Sequence, residues 1–177
     1  MVNKTVIAAA VVTLLAIAFY LIALATPNWI YSAKTGASIG LFQICGVNSA
    51  TGGCVPSQGE WIRYHVLSAK DVSVAINVCI GTLVGAVFLS FLSTVILVVS
   101  TRKNLLSGNL LALTASAFSV LFVVAGIIIF ATMLVEDSGK IKKLYLTKAI
   151  AFGYSFILAC IGGALNLVST LLCAFAA

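Results

Sequence analysis

Few side chains in this chain of 177 residues are able to do chemistry: five cysteines, one histidine and four carboxylates. No nucleophile–base pair, metal cluster or phosphate-binding loop can be assembled from so small a set, so neither catalysis nor a cofactor is expected. The cysteines separate into two classes. Cys79, Cys160 and Cys173 lie inside long apolar stretches, where a single thiol serves as a small packing residue. Cys173 also falls near a membrane boundary, where acylation is a weaker reading. Cys45 and Cys54 are the two cysteines of a polar segment. With His65 as the chain's one histidine, they lack the partners of a metal site, and a disulfide is the expected pairing. Closing a loop of about ten residues would stabilise it by ~2–3 kcal/mol on the chain-entropy model. Such a bond forms in an oxidising compartment.

The elements that must position these cysteines follow from hydropathy. Of all residues 62% are hydrophobic and 8% charged, whereas a water-soluble domain has about a quarter of its residues charged. Four apolar blocks run from Thr5 to Thr26, Val72 to Ser100, Gly108 to Val135 and Lys148 to Ala177. Each exceeds the ~20 residues needed to cross a hydrocarbon core. Backbone groups in lipid must be satisfied locally, so these blocks are expected as four transmembrane helices, with tilt or extension for the longer ones. The first block also has features of a signal peptide, with Met1–Lys4 as a charged start and Ala23-Leu24-Ala25 as a cleavage-like run. Its apolar core is longer than the usual ~7–15 residues, which favours a retained span. Cleavage would leave three spans and the same side for the long loop.

Two loops share one side, residues 27–71 and 136–147, with the termini and the short basic turn Thr101–Asn104 on the other. From Ile39 to Val47 the residues alternate in a β pattern, with Ile39, Leu41, Gln43, Cys45 and Val47 on one parity. Turn formers follow in Asn48–Gly53, then Cys54-Val55-Pro56, so a hairpin setting Cys45 beside Cys54 is the simplest arrangement. Lys140–Leu146 has the character of a further strand. A small sheet capping a helical bundle accommodates both.

Charge and cysteine usage disagree over orientation. Lys34, Arg63, Lys70, Lys140, Lys142, Lys143 and Lys148 lie on the side of the loops, against Lys4, Arg102 and Lys103 opposite. That bias by itself would put the long loop in the cytoplasm. A cysteine pair on a hairpin puts it outside. The cysteines carry more weight, because a folded loop can be translocated despite its charge.

The spacing of these residues resembles a known superfamily. Trp29 after the first span, then Gly40-Leu41-Phe42, Cys45 and Cys54, is similar to the tryptophan, Gly-Leu-Trp and paired-cysteine signature of claudins, peripheral myelin and epithelial membrane proteins, and calcium-channel gamma subunits. Glu60-Trp61 resembles the myelin and epithelial members, and Gly153-Tyr154 with Ile161-Gly162-Gly163 resembles a claudin pattern in the last span. The resemblance covers nearly the whole chain. It implies one tetraspan domain: an all-α membrane protein with a left-handed four-helix bundle under a small extracellular antiparallel β-sheet, and with cytoplasmic termini. It also implies that Cys45 and Cys54 form the sheet's disulfide, while Trp29 and Gly40-Leu41-Phe42 seat the sheet at the membrane surface. Trp61, Tyr31 and Tyr64 suit the same interface. Phe42 departs from the family's usual Trp, and Trp29 lies closer to it than in typical claudins. Val55 and Pro56 follow Cys54 where pore-forming claudins carry a charge, so no ion selectivity is implied.

Inside the limits Val6–Ala25, Val72–Val99, Leu110–Val135 and Ala149–Ala177 there is no Asp, Glu, Lys or Arg, so a transporter or pump is not expected. Asn77 and Asn166 are their most polar groups, with interhelical hydrogen bonding as the expected role. Gly81 and Gly85, then Ser155, Ala159 and Gly163, recur at helix-contact spacing and suit close packing inside the bundle. The expected partners are the lipid bilayer and other membrane proteins, not nucleic acid. Three functions fit. A junction or adhesion protein would touch copies of itself in cis or trans through Ser32–Ser38, Asn48–Gly53 and Glu136–Lys143. A myelin- or epithelial-type organiser is the second. The third is an auxiliary channel or receptor subunit, with Lys140, Lys142 and Lys143 steering it to an acidic partner. The first is the leading expectation.

Overall fold

The structure, a computed structural model, describes residues 4–32, 36–46, 53–56, 69–103, 106–144 and 150–176. Among them are helices α1 (Lys4–Ala25), α2 (Ala69–Lys103), α3 (Leu106–Leu144) and α4 (Tyr154–Ala176), with strands β1 (Ile30–Ser32), β2 (Ser38–Ile39), β3 (Gln43–Cys45), β4 (Cys54–Pro56) and β5 (Ile150–Phe152). Each helix carries an apolar window long enough to cross a membrane: Lys4–Ala25, Ile76–Ser100, Leu110–Thr132 and Tyr154–Phe175. The chain is a four-span membrane protein.

The helices bury narrow seams rather than broad faces. In α1 the buried seam is Val6, Ala9, Thr13, Ala16, Tyr20 and Ala23, with Leu24 buried beside it; in α2 the seam includes Cys79, Leu83, Ala86, Ser90, Ser93, Leu97 and Ser100. Those of α4 are Ser155, Ala159, Gly162, Asn166, Ser169 and Cys173. All three series step by alternating threes and fours. That is the heptad spacing, which keeps a seam facing its neighbours only when helices wind around one another left-handedly. The outward faces carry Ile7, Leu14, Phe88, Phe91, Leu110, Phe118 and Leu121, all exposed within the chain. Their burial is the work of lipid.

Two compact units are distinguishable, one of Met1–Leu21, Thr82–Ala125 and Ala159–Ala177, the other of Ile22–Gly81 and Gly126–Leu158. The first is held by small side chains and hydroxyls. Val6, Ala9, Leu97, Ala112 and Cys173 form its apolar cluster. Beside that cluster, the Thr13 and Ser169 hydroxyls pair, Ser116 Oγ lies 2.6 Å from Thr170 Oγ1, and Ser93 donates to the Ala112 carbonyl at 2.6 Å. Asn166 donates to Ser119 at 2.8 Å and to Ser90 at 3.2 Å. Bonds of this kind act as cross-links where neither lipid nor a hydrophobic driving force holds helices together.

The second unit holds the sheet, ordered β4-β3-β2-β1-β5. All of its pairings are antiparallel. Registers Ile30↔Ile39, Ile39↔Ile44, Ile44↔Val55 and Ile30↔Phe152 set Val55, Ile44, Ile39, Ile30 and Phe152 in one row across five strands. The other face carries the row Cys54, Cys45, Ser38, Tyr31 and Ala151.

Several sequence expectations are corrected here. Ile39–Val47 is not one alternating strand. The chain turns at Gly40–Phe42, the Gly40 N–H donates to the Gln43 carbonyl at 2.8 Å, and Ile39 and Ile44 meet on one face instead of opposite ones. Lys140–Leu144 is not strand but the end of α3, which continues past its apolar window. No proline interrupts that run, and lysine and leucine favour the helix. Tyr145 and Leu146 lie outside the described residues. The strand of this region is β5, inside the stretch expected as the start of the fourth span, and α4 begins only at Tyr154. Asn77 is exposed on α2, one residue off the seam, so of the two asparagines only Asn166 bonds between helices.

Glycine substitutions test the packing. A Cβ on Gly40 would overlap Pro27 Cα, one on Gly153 would overlap the Asn28 carbonyl, and one at Gly81 meets nothing within 4 Å. Gly40→Ala and Gly153→Ala are each expected to destabilise the folded protein by ~1–3 kcal/mol or more through overpacking. Gly81→Ala is expected to be neutral or to stabilise its helix by up to ~1 kcal/mol. Unfolding in mixed detergent micelles reads all three.

Candidate functional site

The sheet is built on the end of α1, and the first link is a missing proton. In a continuing helix the Ala23 carbonyl would accept from the N–H of residue 27, but Pro27 has none. The Trp29 indole supplies a replacement: its Nε1–H donates to the Ala23 carbonyl at 2.7 Å. The ring itself is 1% exposed. Phe130 of α3 meets it edge-on at 4.9 Å and Phe156 of α4 at 6.1 Å. Phe156 in turn stacks on Phe152 of β5, with centroids 4.3 Å apart. Edge-to-face pairs of this kind are worth ~0.5–1.5 kcal/mol each beyond the area they bury.

Trp29's backbone is used on both sides. Its N–H donates to the Ile39 carbonyl and its own carbonyl accepts the Gly153 N–H, each at 2.9 Å. Extending the strand register by one residue places Gly40 and Gly153 on either side of Trp29. Both lack a Cβ where the segment 26–28 lies against them. The same segment closes the start of α4. The Ser155 N–H donates to the Asn28 carbonyl at 3.0 Å, and Ser155 Oγ accepts the Asn28 N–H at 3.2 Å and lies 2.7 Å from Thr26 Oγ1. A helix start otherwise short of partners is thus capped by another part of the chain.

Leu41, 1% exposed, seats the β2–β3 turn, whereas Phe42 beside it is 44% exposed and turns away from the interior. The position therefore makes no use of an indole donor, which accounts for Phe42 standing where the resembled family carries Trp. At the far edge Cys45 and Cys54 face one another in register and are joined as a disulfide. This bond ties β4 to β3. Gly46, at φ 77°, ends β3 in the left-handed region that glycine enters freely.

The remaining predicted residues fall as follows. Ser155 and Ala159 are buried in the α4 seam. A Cβ on Gly163 would meet Val123 Cγ1 at 3.2 Å, and one on Gly85 would make ordinary contact with the Phe122 ring at 3.8 Å. Among the described residues nothing lies within 4 Å of where a Cβ on Gly81 would sit. Two other helix glycines, Gly108 and Gly162, are tighter: a Cβ on Gly108 would overlap the Ser100 hydroxyl, and one on Gly162 would lie 2.7 Å from the Tyr20 ring. The seam spacing of α4, with Gly162 four residues before Asn166, is the signal that would have found it. Cys79 and Cys173 are buried and Cys160 half-buried, none of them in a disulfide, and the Cys79 thiol donates to the Gly126 carbonyl at 3.7 Å. Lys140, Lys142 and Lys143 lie on the last turn of α3. Trp61, Tyr64, Glu60 and Asn48–Gly52 are outside the described residues, as are residues 33–35 of the first contact segment. Among the described residues no cluster of histidine, cysteine or carboxylate is placed to hold a metal.

A four-span membrane protein with an antiparallel sheet hung on a buried tryptophan and locked at one edge by a disulfide defines a structural class. Its family follows from the sequence match: the PMP-22/EMP/MP20/Claudin family model covers residues 3–173, and the chain belongs to that family. A comparison with curated proteins gives no match.

Two substitutions test the site. Trp29→Phe keeps an aromatic ring but strips the donor from the Ala23 carbonyl, and is expected to cost ~1–3 kcal/mol. The double variant Cys45→Ser, Cys54→Ser is expected to lose ~2–3 kcal/mol. Because β4 pairs only with β3 among the described strands, hydrogen exchange should rise at Cys54 and Val55 and stay low in β1 and β5. Comparable loss of protection throughout the sheet would show that the disulfide holds more than its edge.

Proposed function

We propose that the chain is a claudin-like structural protein of cell–cell junctions, acting by adhesion or as a paracellular barrier through its sheet. The observation that supports this most is the sheet's position in the sequence. Its strands lie wholly in the connections between apolar windows, β1–β4 before α2 and β5 before α4. One face also leaves Tyr31, Cys54 and Ala151 exposed. A disulfide-locked edge belongs to an oxidising compartment. The reading therefore sets the sheet and both loops outside the cell and both termini in the cytoplasm, against the lysine bias.

The contacts are assigned to copies of the same chain, in the same membrane or in an apposed one, through the two loops. Uncharged spans and a side-chain inventory without a nucleophile–base pair favour a role without catalysis. The resemblance of Glu60-Trp61 to myelin and epithelial members keeps a membrane-organising role as the second reading.

Orientation and function are tested separately. In intact cells, an impermeant maleimide is expected to label Cys45 and Cys54 only after an impermeant reductant. Labelling that requires permeabilised cells would reverse the topology. Expression in non-adherent cells is expected to produce new cell contacts with strands in freeze-fracture replicas. A stoichiometric channel co-purifying in place of such contacts would reassign the protein as an auxiliary subunit.

A further inference from the structure

In the first unit each of the four helices contributes one polar side chain to a single cluster: Tyr20 from α1, Ser90 from α2, Ser119 from α3 and Asn166 from α4. All four are fully buried. The protons of this cluster can be assigned one by one. Ser119 gives its proton to the Ala86 carbonyl at 2.8 Å. The 2.7 Å contact between Ser90 and Ser119 must then be a donation from Ser90. The two protons of the Asn166 amide go to Ser119 and Ser90. Turning the amide over would set Oδ1 against Ser119, whose proton is already committed, so this orientation is the consistent one.

Three polar valences are left over. Asn166 Oδ1 and the Tyr20 hydroxyl are both buried without a hydrogen-bond partner. Ser90 Oγ, having accepted one bond and donated one, retains a lone pair. The Tyr20 hydroxyl faces the Asn166 side chain but does not meet it with the geometry of a hydrogen bond. Its ring is held there by Gly162, one helical turn before Asn166, where a Cβ would come within 2.7 Å. The surrounding seam positions Ala16, Ala86 and Ala159 are small and fully buried.

We propose that Tyr20, Asn166 and Ser90 form a binding site for one internal water molecule. The water accepts the Tyr20 hydroxyl proton and donates one of its own to Asn166 Oδ1 and the other to Ser90 Oγ. Three bonds of this kind are typical of a buried protein water. In hydrocarbon, where an unpaired polar group is costly, this satisfies all three leftover valences at once. A direct bond from Tyr20 to Oδ1 would satisfy two and leave the Ser90 lone pair unused. The ligand is water itself, and the site is distinct from the sheet.

The test is water-to-protein polarisation transfer in solid-state NMR, on the full chain in lipid bilayers with labelled asparagine and alanine. At short mixing times the Asn166 side chain is expected to gain signal from water, while the seam residues Ala9, Ala16 and Ala159 do not. In Tyr20→Phe, which keeps the ring over Gly162, the Asn166 signal is expected to fall to the level of those alanines. The Ala9 and Ala159 shifts serve as the check that the bundle is intact. No transfer to Asn166 in the unmodified protein overturns the proposal. So does transfer that is unchanged in Tyr20→Phe with the alanine shifts preserved.

Discussion

Helices in lipid gain little by hiding apolar side chains from their surroundings, because the surroundings are as apolar as they are. What holds such helices is close contact and the obligation to pair every polar group. This constraint accounts for the composition of the buried seams. They are rich in alanine, glycine, serine, threonine and cysteine, with a few larger side chains such as Tyr20, Leu83, Leu97 and Val123 among them, while many of the phenylalanines, leucines and isoleucines are turned outward. A soluble bundle would show the reverse. Small seam residues bring backbones close enough for Ser93 to reach the Ala112 carbonyl and Ser119 to reach the Ala86 carbonyl. Each such bond costs the sequence only a hydroxyl, where a charge would have been far more expensive.

The same obligation explains the sheet. Pro27 ends α1 and withholds a proton from the Ala23 carbonyl, Trp29 restores it, and the restoring bond fixes where β1 begins. Strand pairing then follows from Trp29's own N–H and carbonyl, and those pairings admit only glycine at positions 40 and 153. Tryptophan and the two glycines thus form one mechanical unit, although they lie far apart in the chain. The disulfide has a narrower part. It secures the outermost strand, where a short edge has the fewest backbone bonds to keep it in place.

Much of this was legible in the sequence. The four spans follow from hydropathy, and Cys45 and Cys54 announced their pairing by being the only two cysteines between spans. What escaped was long-range. Nothing local to Ile150–Phe152 distinguishes a strand from the beginning of a span, because an apolar triplet suits both. Only its partner Ile30–Ser32 decides the matter. Lys140–Leu146 read as a further strand of the sheet, yet over Lys140–Leu144 helix propensity prevailed. Asn77 and Asn166 looked equivalent. The seam separates them, since Asn166 keeps step with Ser155, Ala159, Gly162 and Ser169 while Asn77 follows Ile76 by one residue. Tyr20 gave no signal, as one aromatic in an apolar run is unremarkable until Gly162 is seen beneath it.

The sheet's order also bears on how the protein is made. β1 lies in its middle portion with β2 on one side and β5 on the other, yet β5 leaves the ribosome only after two further spans have been synthesised. Until then β1 exposes an unpaired flank, and the Asn28 carbonyl has no α4 to cap. Early strands can pair before then, but the cap closes only when the last helix enters the bilayer. Completion of the sheet is thereby a readout of complete insertion, available to any quality-control factor that recognises an open strand.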